Sequence, residues 1–320
     1  MINDSRYTLR PNILDNAPEL EITREKFELI KQGRKTLSAA LAIEEKYEIL
    51  YCNYIEYEQD LLSGALYNMS RFDFGYDKAF HAMTIFNRRI INILTSARMY
   101  ADQMVGHLRD CLPAENELSI KEFFKQQTST QYDNNFEYSF MEALRNHAQH
   151  SGLCVSRVRS DNQNYEVDGG ERLWENRTLV YCSKKLLSQN PGFKSTVYKI
   201  MPDEVELTTA IRKYIGCISE IHSSVRSKIE INVEMARTSL ENALDEYTAI
   251  SEGKFKFTHA NHIGVDSNSP IEVIPVFLDW DDIRVKLTYR NIRRPNMAKH
   301  YVSNRTDTTT INPNTSPDKQ

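Results

Sequence analysis

Arg145, Asn146 and His150 are the side chains whose types and spacing best suit chemistry. They stand in the run Arg145-Asn146-His147-Ala148-Gln149-His150, which reads R-N-x-x-x-H. A guanidinium is a planar fork of donors that matches a phosphate. An imidazole titrates near neutrality and can take or give a proton. Together the two suit phosphodiester chemistry that needs no metal.

The element that must position them is a helix. Phe136, Phe140, Leu144 and Ala148 recur every four residues, which predicts an amphipathic helix over about 135–151. Gly152 follows where a left-handed cap is wanted. Asn146 and His150 are four apart and share one face. Arg145 and His150 are five apart, roughly 140° round the axis, so one straight helix does not aim both at one phosphate equally well. Two copies facing each other across a twofold axis would. The structural alternative is an ordinary helix end, with His150 on the last carbonyls and Arg145 paired to a carboxylate.

The stretch resembles the signature of the HEPN superfamily, an arginine followed after four to six residues by a histidine, often with a polar residue straight after the arginine. The surrounding "EALRNHAQHSGL" also looks like a group of bacterial proteins that carry R-N-x-x-Q-H. The resemblance implies a bundle of long antiparallel helices, a homodimer with a composite site, and metal-independent cleavage of RNA. It also implies a role as a toxin or anti-phage defence effector, with an antitoxin or defence-system protein as a further partner. Arg145, Asn146 and His150 would be the catalytic residues. A further polar group often comes from the preceding long helix in such proteins, and Asp102 is the candidate here; a solvated outer-face acid is the alternative for it. No cofactor is implied. Inactive relatives exist, so a non-catalytic RNA- or nucleotide-binding module is the alternative. A helical assembly protein is another.

The remaining pattern is that of a mainly α chain. The spacing predicts a short helix over 22–31, long helices over 36–69, 77–112 and 202–250, and a short one over 120–126, with 128–135 a polar connection. Leu62 and Phe80 belong to the apolar stripes of the first two long helices. The third, at roughly 70 Å if straight, folds back or packs against a partner. Short β-branched runs at 153–159 and 178–183 predict a hairpin, and 195–200 a third strand. Runs at 271–277 and 283–289 predict two more strands around Asp279-Trp280-Asp281-Asp282. The domains expected are an N-terminal segment 1–35, irregular over 1–20, then a HEPN-like helical domain 36–250 with the inserted hairpin near 153–183. A small C-terminal β extension 251–302 and a disordered tail 303–320 follow.

The net charge of −4 gives no global attraction to nucleic acid. The one basic stretch runs from Arg284 through Lys286, Arg290, Arg293, Arg294 and Lys299 to Arg305 without an acid, with Tyr289 and Tyr301 interleaved. Arg290, Arg293, Arg294 and Lys299 are the RNA-binding candidates; a solvated strand and loop is the alternative. His259, His262 and His300 lack clear helical patterning and a carboxylate partner at fixed spacing; Asp279, Asp281 and Asp282 resemble a metal-binding acidic cluster, which a polar turn between strands explains as well, so no metal is expected. Five scattered cysteines without a C-x-x-C pair fit a reducing cytoplasm. No apolar run approaches the ~20 residues that span a bilayer, and no contact with a membrane is expected.

Overall fold

A computed structural model of the chain describes residues 5–12, 16–71, 75–166, 172–264, 269–295, 297–300 and 302. The protein is mainly helical. Strands β1 (Arg6–Leu9) and β2 (Leu20–Ile22) lead into helices α1 (Arg24–Ser70), α2 (Tyr76–Cys111), α3 (Glu117–Asn134) and α4 (Phe136–His150). Strands β3 (Arg157–Glu166) and β4 (Arg172–Ser183), short helices α5 (Lys184–Leu187) and α6 (Ser195–Ile200), and strand β5 (Glu204–Glu206) follow. The long helix α7 (Leu207–Ile250), strands β6 (Thr258–Ile263) and β7 (Pro270–Val276), helix α8 (Asp279–Arg290) and a 3-10 turn at Met297–Lys299 complete the described chain. Among the described residues no helix is long and apolar enough to cross a membrane.

Several elements differ from expectation for identifiable reasons. The helices expected over 22–31 and from 36 onward are one, because Gly33 lets α1 approach α7: a Cβ there would lie 2.8 Å from Leu240 Cδ1. The polar 128–135 stretch continues α3, whose buried side is carried by Ile120 and Phe124. The third strand of the hairpin sheet is β5, paired with the end of β4, while 195–200 is a short helix that buries Val197. The 283–289 run alternates like a strand, yet it lies in α8. The aspartates at 279, 281 and 282 form that helix's first turn, where the macrodipole favours negative charge. The first twenty residues are not wholly irregular, since β1 pairs with β6. Residues from Ser303 on, including the expected tail, lie outside the described ones.

The chain divides into two compact units, and α1, α2 and α7 each contribute to both. The first takes in Met1–Glu48, Met99–Gln127 and Ile221–Arg293. Its antiparallel sheet has the order β2-β1-β6-β7, so the N-terminal segment and the C-terminal extension share one sheet. Its core gathers Phe27, Ile30, Leu37, Ile43, Met104, Leu108, Val225, Leu240 and Tyr247. A polar cluster is buried within it. Arg226 Nε donates to Glu44 Oε1 at 2.8 Å, and His222 Nε2 lies 3.3 Å from Glu44 Oε2. His222 Nδ1 lies 3.0 Å from Tyr100 Oη, and Tyr47 stacks on the imidazole at 4.0 Å between centroids. The contacts fit a neutral ring that donates from Nε2 to Glu44 and accepts the tyrosine hydroxyl at Nδ1.

The second unit takes in Ile49–Arg98, Thr128–Glu220 and Arg294–Gln320. It holds the antiparallel sheet β3-β4-β5. Its core gathers Leu50, Tyr54, Tyr57, Ile90, Leu94, Phe140, Leu144, Ile211, Tyr214 and Ile218. Arg212 grips Glu58 with two hydrogen bonds of 2.7 and 2.6 Å, and Tyr57 Oη meets Thr208 Oγ1 at 3.0 Å. Helices α1 and α7 run antiparallel in the first unit, where Gly33 faces Leu240 and Glu44 faces Arg226.

The buried cluster sets an acid limit to stability. Burial alone would raise the Glu44 carboxyl, but hydrogen bonds from Arg226 and His222 outweigh it and bring it down to about 2. Burial holds His222 below its ordinary value. Both folded-state values are depressed, so the unfolded chain binds more protons, and stability is lost as pH falls below about 6.5 for the imidazole and 4.5 for the carboxyl. Urea midpoints should fall steadily from pH 7 to pH 3, with Glu44 contributing about 2 kcal/mol of the loss by pH 3. Glu44→Gln should flatten the lower limb; an unchanged limb would remove Glu44 as its source.

Candidate functional site

Helix α4 belongs to the second unit and is fixed along one face. Phe136 and Phe140 stack at 5.7 Å, and Phe140, Met141 and Leu144 are buried. Against α7, Tyr138 tilts on Tyr214 at 5.2 Å between ring centroids, and Lys213 Nζ reaches Glu137 at 2.5 Å. The helix closes without the expected left-handed glycine. Ser151 and Gly152 both donate to the His147 carbonyl, at 2.9 and 3.1 Å. Ser151 turns the chain at φ −136°, and Gly253 is the one glycine with positive φ among the described residues. Gly152 is needed neither for strain relief nor for the cap geometry.

This placement separates the side chains of the run. Asn146 and His150 are exposed at the helix end. Arg145 is turned back along the helix, its side chain 14% exposed. Its Nη1 donates to Gln149 Oε1 at 2.8 Å, and its Nε lies 4.0 Å from Glu142 Oε2. That Nε is buried and makes no hydrogen bond among the described residues. Glu142 is itself fixed by Tyr214, whose hydroxyl donates to Oε1 at 2.6 Å. Burial pushes the Tyr214 phenol well up, so it stays a donor. The chain of contacts Tyr214–Glu142–Arg145–Gln149 thus holds the guanidinium in one orientation.

His147 is structural. It is buried, its Nε2 lies 3.2 Å from the Leu153 carbonyl, and its Nδ1 lies 3.1 Å from Asn190 Nδ2. It ties α4 to the segments that follow.

Asp102 is exposed on α2 in the first unit, whereas α4 lies in the second. The carboxylate beside Arg145 is Glu142, one turn earlier on the same helix. Its i,i+3 spacing, and the i,i+4 spacing of Gln149, were present in the sequence as ordinary helix-surface pairs. Tyr214 gave no local signal.

Two members of the basic stretch, Arg284 and Arg290, are held in ion pairs. Arg284 binds Asp281 at 2.6 and 2.8 Å, and Arg237 binds Asp281 and Asp282 at 2.7 and 2.9 Å. The acidic triplet is therefore an ion-pair node at the start of α8. Arg290 is paired with Glu48, while Arg293 and Lys299 are exposed. Arg290 and Arg293 fall in the first unit, Arg294 and Lys299 in the second. Tyr301 lies outside the described residues.

Other chemistries find less. His262 stacks on Tyr7 at 4.7 Å, and His259 Nδ1 takes the Asn12 amide at 3.3 Å. Among the described residues no three His, Cys, Asp or Glu side chains gather as ligands. All five cysteines are free, and burial pushes the Cys154 thiol up to about 12 and Cys217 to about 11, leaving them protonated and poorly nucleophilic.

Comparison of the chain with protein-family models, with curated proteins and with solved structures gives no match.

Removing the His147 ring leaves the Leu153 carbonyl and the Asn190 amide without their partner. His147→Ala should lower unfolding free energy by about 1–3 kcal/mol. A urea midpoint equal to that of the unaltered chain would deny His147 this bridging role.

Proposed function

We propose that the protein is a metal-independent endoribonuclease of HEPN type that acts as a homodimer on RNA. The observation that carries this reading is the end of α4. An exposed asparagine and imidazole stand there, one turn apart and without hydrogen-bond partners among the described residues, beside an arginine fixed by Glu142 and Gln149. The mainly helical fold is compatible with a helical-bundle relative.

In the proposed reaction the ribose 2′-hydroxyl attacks the neighbouring phosphorus. One His150 imidazole takes the hydroxyl proton. Its symmetry mate, protonated, gives a proton to the departing 5′-oxygen as the P–O5′ bond breaks. The products are a 2′,3′-cyclic phosphate and a 5′-hydroxyl. Arg145 binds the phosphate and stabilises the charge that grows on its oxygens. Its buried Nε and a rotation away from Gln149 supply the donors. Asn146 orients the phosphate or the imidazole. DNA lacks the 2′-hydroxyl and is not a substrate for this reaction. The exposed Lys299, in the same unit as α4, would contact the RNA backbone. A role as a toxin or anti-phage effector, held silent by an antitoxin or a defence partner, follows from the resemblance alone.

A second reading is a non-catalytic HEPN module that binds RNA or a nucleotide. The engagement of Arg145 with Gln149 and its proximity to Glu142 favour it, since both withhold the guanidinium from a ligand.

The test is cleavage of labelled RNA in EDTA. Wild type should cut RNA and leave DNA intact. Arg145→Ala and His150→Ala should each slow cleavage at least ~100-fold. Undiminished cleavage by both variants removes the site from the reaction. RNA retained but never cut by wild type selects the binding module.

A further inference from the structure

The ribbon of β3 and β4 in the second unit has two unlike faces, since side chains alternate across a strand. One face is closed on itself. Arg159 pairs with Asp161 at 3.1 Å, Tyr165 Oη donates to Glu175 at 2.7 Å, and Arg177 donates to Tyr165 Oη at 2.8 Å. The other face changes along its length. Thr178 and Val180 are buried, and a Cβ on Gly64 of α1 would lie 2.8 Å from Thr178 Oγ1, so this end rests on α1. Farther out on the same face stand Asn176, Asn162, Asn164 and Trp174. Asn162 and Asn164 are exposed, and Trp174 is 71% exposed. Trp174 lies opposite Asn164 in register, and Asn162 opposite Asn176; the next pair on that face, Glu166 with Arg172, is neutral in sum. The chain's other tryptophan, Trp280, is covered by Arg34, whose Cζ lies 4.3 Å from its ring centre.

An indole left in water among amides suits a flat ligand with polar edges. The ring offers a π face, and each amide offers both donors and an acceptor. A protein interface would set further apolar side chains around the tryptophan, and so would a membrane anchor. The chain that continues from this face adds charge of one sign. Residues 176–202 hold Arg177, Lys184, Lys185, Lys194 and Lys199 and no acid. Lys184 is engaged, its Nζ donating to the Met201 carbonyl at 3.1 Å. Lys185, Lys194 and Lys199 are exposed and make no ion pair among the described residues. Lys194 Nζ stands 4.2 Å from the Tyr132 ring centre, so a second aromatic accompanies it. This segment lies against α4, with Phe193 6.4 Å from the His147 ring and Asn190 3.1 Å from its Nδ1. His150 is roughly 60° round the helix from His147, so it borders the same segment.

We infer that the outer ribbon face and the segment after it bind single-stranded nucleic acid. Trp174 stacks an unpaired base, Asn162 and Asn164 meet its edge, and Lys185, Lys194 and Lys199 contact phosphates. A duplex keeps its bases stacked on each other and leaves none for the indole, although ribbons can enter a major groove. The inference uses none of the side chains of the nuclease reading. In that reading this surface holds the substrate strand beside α4.

Binding of fluorescein-labelled 12-mers by the full chain, followed by anisotropy, tests the surface. The probes are 2′-O-methyl-oligouridylate and oligothymidylate, neither of which has the free 2′-hydroxyl that cleavage would need. Binding of either supports the surface, and the stronger of the two assigns the sugar. Binding should quench tryptophan emission. Trp174→Ala should weaken binding at least ~5-fold, and Trp174→Phe should restore most of it while abolishing the quenching. Replacing Lys185, Lys194 and Lys199 together by Gln should lower the slope of log affinity against log salt by about 2, at ~0.7 per phosphate. All these positions are exposed, so the variants should melt as wild type does. No binding of either probe, or affinities untouched by Trp174→Ala and by the triple variant, overturns the surface. So does equal affinity for a 12-base-pair duplex, or quenching by maltoheptaose in place of the oligonucleotides. Trp174-dependent binding by a chain that never cuts RNA leaves the surface standing and defeats the nuclease reading. RNA cleavage by a chain whose binding ignores Trp174 and the lysines does the reverse.

Discussion

The antiparallel contact of α1 with α7 is the constraint on which both units depend. In the first unit it is close at Gly33, where a Cβ would lie 2.8 Å from Leu240 Cδ1 and 3.1 Å from the Ala236 carbonyl and would make them shift. In the second it is locked by the two-pronged Arg212–Glu58 pair and by the buried Tyr57–Thr208 hydrogen bond. The apolar stripe of α7 from Leu207 to Tyr247 is buried throughout. Paired stripes supply the bulk of the driving force, because burial is worth roughly 25 cal/mol per Å². The polar pairs set register, because each charged group removed from water must find its one partner.

The candidate site inherits its geometry from that pairing. Tyr214 is a core residue of α7, and its hydroxyl extends to Glu142 on α4. Glu142 then lies beside Arg145, and Gln149 restrains the guanidinium from the other side. The arginine is thus aligned from within the core, whereas Asn146 and His150 hang from the last turn with no such support. One member of the constellation is held by its neighbours, and the other two stand exposed at the helix end.

Much of this was legible in the sequence where apolar spacing was long and regular. The stripe of α7 was read residue by residue, and α4 ends within one residue of its expected limit. Legibility failed where local pattern and tertiary context disagreed. Ile283, Val285, Leu287 and Tyr289 alternate as in a strand, but a buried Asp281 clamped by Arg237 and Arg284 nucleates a helix there. The polar end of α3 carried no stripe because little of that helix is buried. Leu62 and Phe80 fit the apolar stripes of their helices, yet both are exposed. Periodicity reports that a face is apolar and is silent about what covers it. The orientation of Arg145 was unreadable for a different reason: its neighbour's partner, Tyr214, is 72 residues away from Glu142 in the chain.

The distance between partners also shapes how the chain reaches this state. Glu44 and Arg226 are 182 positions apart, and Asn12 and Asn261 are 249 apart. Ribosomes add about 5–20 residues per second, so α1 emerges roughly 10–35 s before the helix that shelters it. Through that interval the part of α1 that α7 covers has no α7 partner, and closure must then overcome the entropy of a very long loop. The wait between the synthesis of α1 and that of α7 is thus set by the 182 positions that separate Glu44 from Arg226.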